Sequence, residues 1–244
     1  HYLKRPYQLV PAAVTELPQP RYYAADGREL PADAAADSIA ESVYELQLRP
    51  GIRYQPHPAF ALDASGAPLY LGAETALGRQ VISDFSQQDS RPVRAADYVY
   101  QIKRLASPRL HSPIYGMMAA RILGLKALGD NLRSAVKEMP DDTWLDLDQF
   151  ALSGVEVLDE RTWRIRIHGK YPHFSYWLAM HFFAPVPREV DRFYAQPGMR
   201  EKNLTLDWWP VGSGPYMLAE NDPNRRMVLL RNPNFHGERY PCEG

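Results

Sequence analysis

In YELQLRPGIRY, hydrophobic positions alternate with polar ones. Tyr44, Leu46 and Leu48 share one face, the period of a half-buried strand, and Pro50-Gly51 ends it in a tight bend. The period changes in RAADYVYQIKRLAS, where Ala96, Val99, Tyr100, Lys103 and Arg104 suit an amphipathic helix. Ala95-Ala96-Asp97 form its first turn, where a carboxylate favours the helix dipole. Between these two elements, residues 55–92 contain LDASGAPLYL and DFSQQDSRPV, which read as loop or hairpin insertions around Ser65-Gly66. SPIYGMMAARILGLKALGDNLRSAV reads as a helical region interrupted near Gly124 and Gly129, since a helical glycine costs about 1 kcal/mol relative to alanine. GVEVLDERTWRIRIHG predicts a hairpin around Asp159-Glu160, with Trp163, Ile165 and Ile167 on one face and Arg164 and Arg166 on the other. In YPHFSYWLAMHFFAPVPREVDRFY, Phe174, Trp177, Leu178 and His181 or Phe182 follow helical spacing until Pro185-Val186-Pro187 stops the helix. Pro215-Tyr216 starts a strand, and MVLLRNPNF is a short apolar strand closed by Asn232-Pro233. Strands and helices thus mix without a regular βαβ beat, so the fold class is α+β.

Composition bounds what the motifs can mean. A chain of 244 residues makes one large or two small domains and buries roughly 70% of its unfolded surface. Lysine and arginine number 28 against 29 acidic residues, a balance that argues against a nucleic-acid or anionic-membrane partner. The single cysteine, Cys242, provides neither a disulfide framework nor a cysteine metal site. YWLAMHFFAPVP, among the longest apolar runs, falls short of the roughly 20 residues of a membrane helix and is broken by His181 and prolines. The chain starts at His1 without a signal-like segment and stops at NPNFHGERYPCEG just after a strand-like run, so it is expected to be a piece of a longer protein.

Gly212-Ser213-Gly214 invites a catalytic reading. A nucleophile elbow needs glycine two residues before and two after the serine, but Val211 and Pro215 stand there. A phosphate loop needs a lysine and a hydroxyl residue after the glycines, but Pro215-Tyr216-Met217 follow, and proline removes a backbone donor. The expected role is structural, with Gly212 and Gly214 supplying unusual backbone angles. His168, His173 and His181 lack metal-site spacing and read as core-edge or surface histidines. Asp141, Asp142, Asp146 and Asp148 lack the glycine and terminal glutamate of a calcium loop and read as a solvated helix start or loop. No catalytic residue, metal ligand or cofactor is therefore nominated. Aromatic residues make 11% of the chain, which suits both cores and clefts for extended ligands.

Taken in order, YELQLRPGIRY, VRAADYVYQIKRLASP, GVEVLDERTWRIRI, YPHFSYWLA, FFAPVPREV, PVGSGPYML and VLLRNPNF resemble the bacterial extracellular solute-binding proteins of family 5, which serve peptide and nickel ABC transporters. The family blocks are LRxGxxFxDG, TAxDVxYSxxR, a DxxTxxxxL hairpin, PVP, GTGPY and RNPxY, and the likeness runs from Tyr44 to Phe235. It departs at an insertion over about 55–92 and in an enlarged helical stretch after Ser112. The resemblance implies a periplasmic-binding-protein-like II fold of two lobes closing on ligand by a hinge, of which this chain would hold a partial first lobe with mixed β-sheets and surrounding helices. Residues 1–187 would hold the smaller subdomain of the first lobe and 188–244 the first part of its main subdomain, with the second lobe absent from this chain. It implies binding rather than catalysis, a peptide-like ligand, ABC permease partners, a monomer and a periplasmic or extracytoplasmic location. Relatives with an SPY motif supply a cleft tyrosine. Here Ser112-Pro113-Ile114-Tyr115 makes Tyr115 the candidate ligand-binding residue, one place on, which turns a helical side chain by about 100°. A sensor domain of the same fold, or a binder of nickel chelates, sugars or opines, is the alternative.

Overall fold

The computed structural model describes residues 8–72, 74–140 and 143–237. Cys242, Asp141 and Asp142 lie outside the described residues. The chain divides into two compact units. The first comprises His1–Pro50, Arg94–Met139 and Asp146–Pro185; the second comprises Gly51–Val93, Pro140–Leu145 and Val186–Gly244.

The first unit is built on a five-stranded sheet. Its strands are β1 (Arg21–Tyr23), β2 (Glu29–Leu30), β3 (Glu41–Gln47), β4 (Val155–Val157) and β5 (Thr162–His168), in the order β2-β1-β3-β5-β4. Every pairing is antiparallel, where the sequence reading expected mixed sheets. β3 and β5 pair along their whole lengths, from Glu41 opposite His168 to Gln47 opposite Thr162. Alternation then sets the faces: Tyr44, Leu46, Trp163, Ile165 and Ile167 are buried, while Glu45, Arg164 and Arg166 point away from that core. Gly51 has φ 81°, the positive value that the bend after β3 requires. On the core side lies helix α1 (Ala95–Leu105), with Ala95, Val99, Tyr100, Ile102 and Leu105 buried and Tyr98 stacked on Trp163 at 5.5 Å between ring centres. Asp97 starts this helix by accepting the Arg94 N–H at 2.9 Å.

The helical stretch after Ser112 is two helices, α2 (Tyr115–Ala119) and α3 (Leu125–Lys137). Gly124 breaks it as expected, with φ 76°. Gly129 does not: it lies inside α3, where a Cβ would overlap the Tyr115 hydroxyl, so this glycine serves a close approach and not a helix end. The predicted helix over 174–182 is also shorter. Helix α4 (Phe174–Leu178) stops and a separate 3-10 turn, His181–Phe183, follows. Residues nine apart on a continuous helix point in opposite directions. The break lets Phe174 and Phe183 both be buried, with ring centres 6.3 Å apart.

In the second unit, helix α5 (Arg188–Tyr194) begins after Pro187 and lies against the 3-10 turn Pro58–Phe60. Phe85 and Phe193 meet edge-on at 5.1 Å, and Tyr54 stacks on Phe60 at 5.6 Å. Residues 55–92 form no named strand or α-helix among the described residues. They run as short turns, with a bridge from Leu62 to Pro68 around Ser65-Gly66, as the insertion reading expects. β6 (Tyr216–Asp222) and β7 (Arg226–Arg231) make a bulged antiparallel hairpin.

Candidate functional site

Tyr115 opens α2, and its N–H bonds to the Ser112 carbonyl at 3.2 Å. Its half-buried ring lies over Gly129 of α3. Arg133, one turn further along α3, lies beside the Tyr115 hydroxyl and pairs with Asp130. Lys126 reaches Asp130 from the other side at 3.1 Å, and hydrogen bonds from Lys126 and then Arg133 hold the Asp130 carboxyl below the usual carboxylate range. The tyrosine hydroxyl therefore stands next to a cation whose guanidinium can only donate. Ile114, at the preceding place, is buried in the core at 6% exposure.

The Gly212-Ser213-Gly214 segment is a tethered turn. Gln55 clamps Gly212 twice, its N–H donating to the Gly212 carbonyl at 2.9 Å and its Oε1 accepting the Gly212 N–H at 3.2 Å. Buried Asn232 donates from Nδ2 to the Gly214 carbonyl at 2.8 Å and from its N–H to the Pro215 carbonyl at 2.8 Å. Neither glycine has a positive φ, so the expected unusual angles are not the reason for them. The turn is held by its carbonyls. Among the described residues, no histidine or carboxylate hydrogen-bonds Ser213.

His168, His173 and His181 are all exposed and lie in different settings. His168 ends β5 opposite Glu41, His173 contacts the rings of Tyr171 and Tyr176, and His181 lies 4.0 Å from the Phe182 ring centre. No group of three or more histidine, cysteine or acidic side chains among the described residues could hold a metal. Asp146 caps the 3-10 turn Leu147–Gln149, and Asp148 lies 3.6 Å from Lys103, as a solvated turn requires.

The buried histidine is one that spacing did not single out. His57 is 1% exposed and enclosed by Phe60, Phe193 and Tyr194. Its Nδ1 accepts the Ala59 N–H at 3.2 Å, which places the ring proton on Nε2. Nε2 then donates to the Tyr194 hydroxyl at 2.9 Å, and Tyr194 donates to the Trp209 carbonyl at 2.8 Å. Burial pushes His57 down to about 3 and Tyr194 well above the usual phenol range. Both groups are therefore neutral, and the chain of donors is a structural tie. His57-Pro58, with proline at the first position of a turn, is the one local signal that could have flagged it.

Comparison with known proteins gives a consistent picture. The model of bacterial extracellular solute-binding proteins, family 5 middle region, matches residues 86–241, more than half of the chain. The chain is similar to the periplasmic oligopeptide-binding protein OppA of Salmonella typhimurium, 28% identical over 147 residues, which cover 60% of this chain and 23% of that protein. It is also similar to the periplasmic murein peptide-binding protein MppA of Escherichia coli, 29% identical over 151 residues, covering 60% of this chain and 24% of that one. The chain thus spans about a quarter of the length of these relatives. Among solved structures, the pheromone receptor PrgZ superposes with a TM-score of 0.54 at 14% identity, over 96% of this chain and 32% of that one. The clavulanic acid biosynthesis oligopeptide binding protein 2 superposes at 0.50 and 19% identity, over 93% and 28%. At such identities the likeness is one of fold.

Proposed function

The chain belongs to the bacterial extracellular solute-binding proteins of family 5, and we propose that it is part of the substrate-binding component of an ABC importer that captures oligopeptides or dipeptides by two-lobe closure. The observation that carries this reading is the family match over residues 86–241, supported by two relatives named as peptide-binding and periplasmic. The function is binding rather than catalysis, the site of action is periplasmic or extracytoplasmic, and the partners are a peptide-like ligand and membrane permease subunits, with the receptor a monomer. Residues 1–187, apart from the 55–92 insertion, lie in the smaller subdomain of the first lobe, and 188–244 begin its main subdomain. The compact unit that joins Gly51–Val93 to Val186–Gly244 supports placing the 55–92 insertion with the main subdomain.

Tyr115 is the proposed ligand-binding residue of this chain. A tyrosine O–H can donate to a peptide carbonyl, and the neighbouring Arg133, itself only a donor, offers that O–H no competing acceptor. A sensory role is the second reading, favoured by the fold shared with a pheromone receptor. Thermal unfolding of the full-length receptor against a peptide pool tests the proposal. Ligand at a hundred times its dissociation constant adds about 2.7 kcal/mol, which raises Tm by several degrees. No shift with any peptide refutes peptide capture; a shift unchanged by Tyr115→Phe refutes the role of the hydroxyl.

A further inference from the structure

The outer face of the five-stranded sheet contains a concavity of about 560 Å³, within the size range of small-molecule sites. Register fixes its floor. Arg21 on β1, Val43 on β3 and Arg166 on β5 lie in one row across three strands, and Tyr23, Glu41 and His168 form the adjoining row. The turn after β1, with Ala24, Ala25 and Gly27, forms the lip.

The two arginine rows differ in how their donors are used. Arg164 belongs to the row of Glu45 and Glu156, and it gives Nη1 to Glu156 at 2.7 Å and Nη2 to Glu45 at 3.1 Å. Its Nε is buried without a partner. The central row has donors to spare. Arg21 makes no hydrogen bond among the described residues, and its nearest carboxylate, Glu45, is 3.6 Å away. Arg166 gives Nη2 to the Ser153 carbonyl at 2.7 Å, while its Nη1 stands 3.8 Å from Glu41, beyond hydrogen-bonding reach. Their strands are two spacings apart, roughly 10 Å, with uncharged Val43 between them. Planar guanidinium forks fit carboxylate and phosphate oxygens in pairs.

We propose that this concavity binds a small molecule bearing a carboxylate or phosphate group, held over Val43 between Arg21 and Arg166. Glu41 is the competing carboxylate, and its 3.8 Å approach to Arg166 is what the ligand displaces. The proposal does not rest on the reading of the chain as a peptide receptor.

Citrate and inorganic phosphate, titrated separately into the chain at low ionic strength, are the probes, read by the arginine Nε–H signals in NMR spectra. Saturable shifts of Arg21 and Arg166 are expected with at least one probe. A response to citrate alone assigns a carboxylate ligand, and one to phosphate alone a phosphate ligand. Arg21→Gln and Arg166→Gln should each weaken binding about tenfold or more, as loss of a charged hydrogen bond does. Lys137→Gln, at the end of α3 and outside the concavity, should leave it unchanged. Glu41→Gln should tighten it severalfold. Shifts that never saturate, affinity unchanged in both arginine variants, or affinity that Glu41→Gln leaves equal or lowers would each overturn the site.

Discussion

Acidification between pH 7.5 and 5 should destabilise the second unit through one residue, His57. Its ring is held down to about 3 by burial in the folded protein, against about 6.5 for an unfolded chain. Between those values the unfolded chain binds a proton that the folded one refuses. The contribution is therefore fully present above pH 6.5 and is lost as the pH falls toward 3. At pH 5 the linkage relation gives a loss of about 2 kcal/mol, a large share of the 5–15 kcal/mol typical of a domain. The geometry agrees with this direction: Nδ1 already accepts a backbone N–H, and a second ring proton would meet that donor head-on. Urea unfolding at the two pH values, with amide exchange of the α5 segment to report on this unit, measures the loss. His57→Asn offers a control, since its amide oxygen can still accept the Ala59 N–H while carrying no titrating group. The variant should be less stable at pH 7.5 and lose markedly less than the wild type on acidification. Equal losses in the two proteins would refute the assignment to His57.

Two further substitutions test local packing. Tyr194→Phe removes the hydroxyl that accepts from His57 and donates to the Trp209 carbonyl, leaving two buried groups unpaired, and should cost about 1–3 kcal/mol by chemical denaturation. Gly129→Ala normally favours a helix by about 1 kcal/mol, yet here the added methyl overlaps the Tyr115 hydroxyl. It should therefore lower stability and displace Tyr115, visible as altered tyrosine ring signals, and a gain in stability would show that the contact yields freely.

The elements that were legible in the sequence are those whose period is long enough to read. β3 and β5 alternate over seven residues each, so their buried faces follow directly. α1 was legible as a helix with an acidic first turn, but its face was not, since Ala96 is exposed while Ala95, Ile102 and Leu105, outside the Ala96–Val99–Tyr100–Lys103–Arg104 stripe, are buried. β1 and β2, of three and two residues, are too short to show any period. The end of α4 was misread because the helical spacing of Trp177, Leu178 and His181 says nothing of Phe183, whose burial with Phe174 requires the break. Gly129 was misread because a close approach and a helix stop call for the same residue. The candidate ligand tyrosine was legible only through the family motif, and its contact with α3 depends on packing that no spacing encodes. His57 and the Arg21–Val43–Arg166 row escaped for the same reason: their partners lie far along the chain.

The hairpin of β6 and β7 was read correctly as strands, but not its exposure. Tyr216, Met227, Leu229 and Leu230 are between 49% and 61% exposed, so burial of these side chains does little to hold it, and an isolated two-stranded hairpin is marginal in water. Its conformation must depend on tethers at its open end. Asn232 is the principal one: it is 1% exposed, donates to the Gly214 carbonyl, and accepts the Asn234 N–H at 3.0 Å. Asn234 in turn donates to the Tyr54 carbonyl at 2.8 Å, which ties the hairpin base to the start of the insertion. Asn232→Ala removes two side-chain hydrogen bonds at a buried position, and the expected local cost of about 1–3 kcal/mol corresponds to roughly five- to 150-fold faster amide exchange along residues 216–231. The five-stranded sheet of the first unit should keep its protection. If exchange in 216–231 is unchanged while the rest of the second unit loosens, the hairpin is held by its own cross-strand pairs, such as Glu220 with Arg226 at 2.7 Å, and the GSGPY turn is not its anchor.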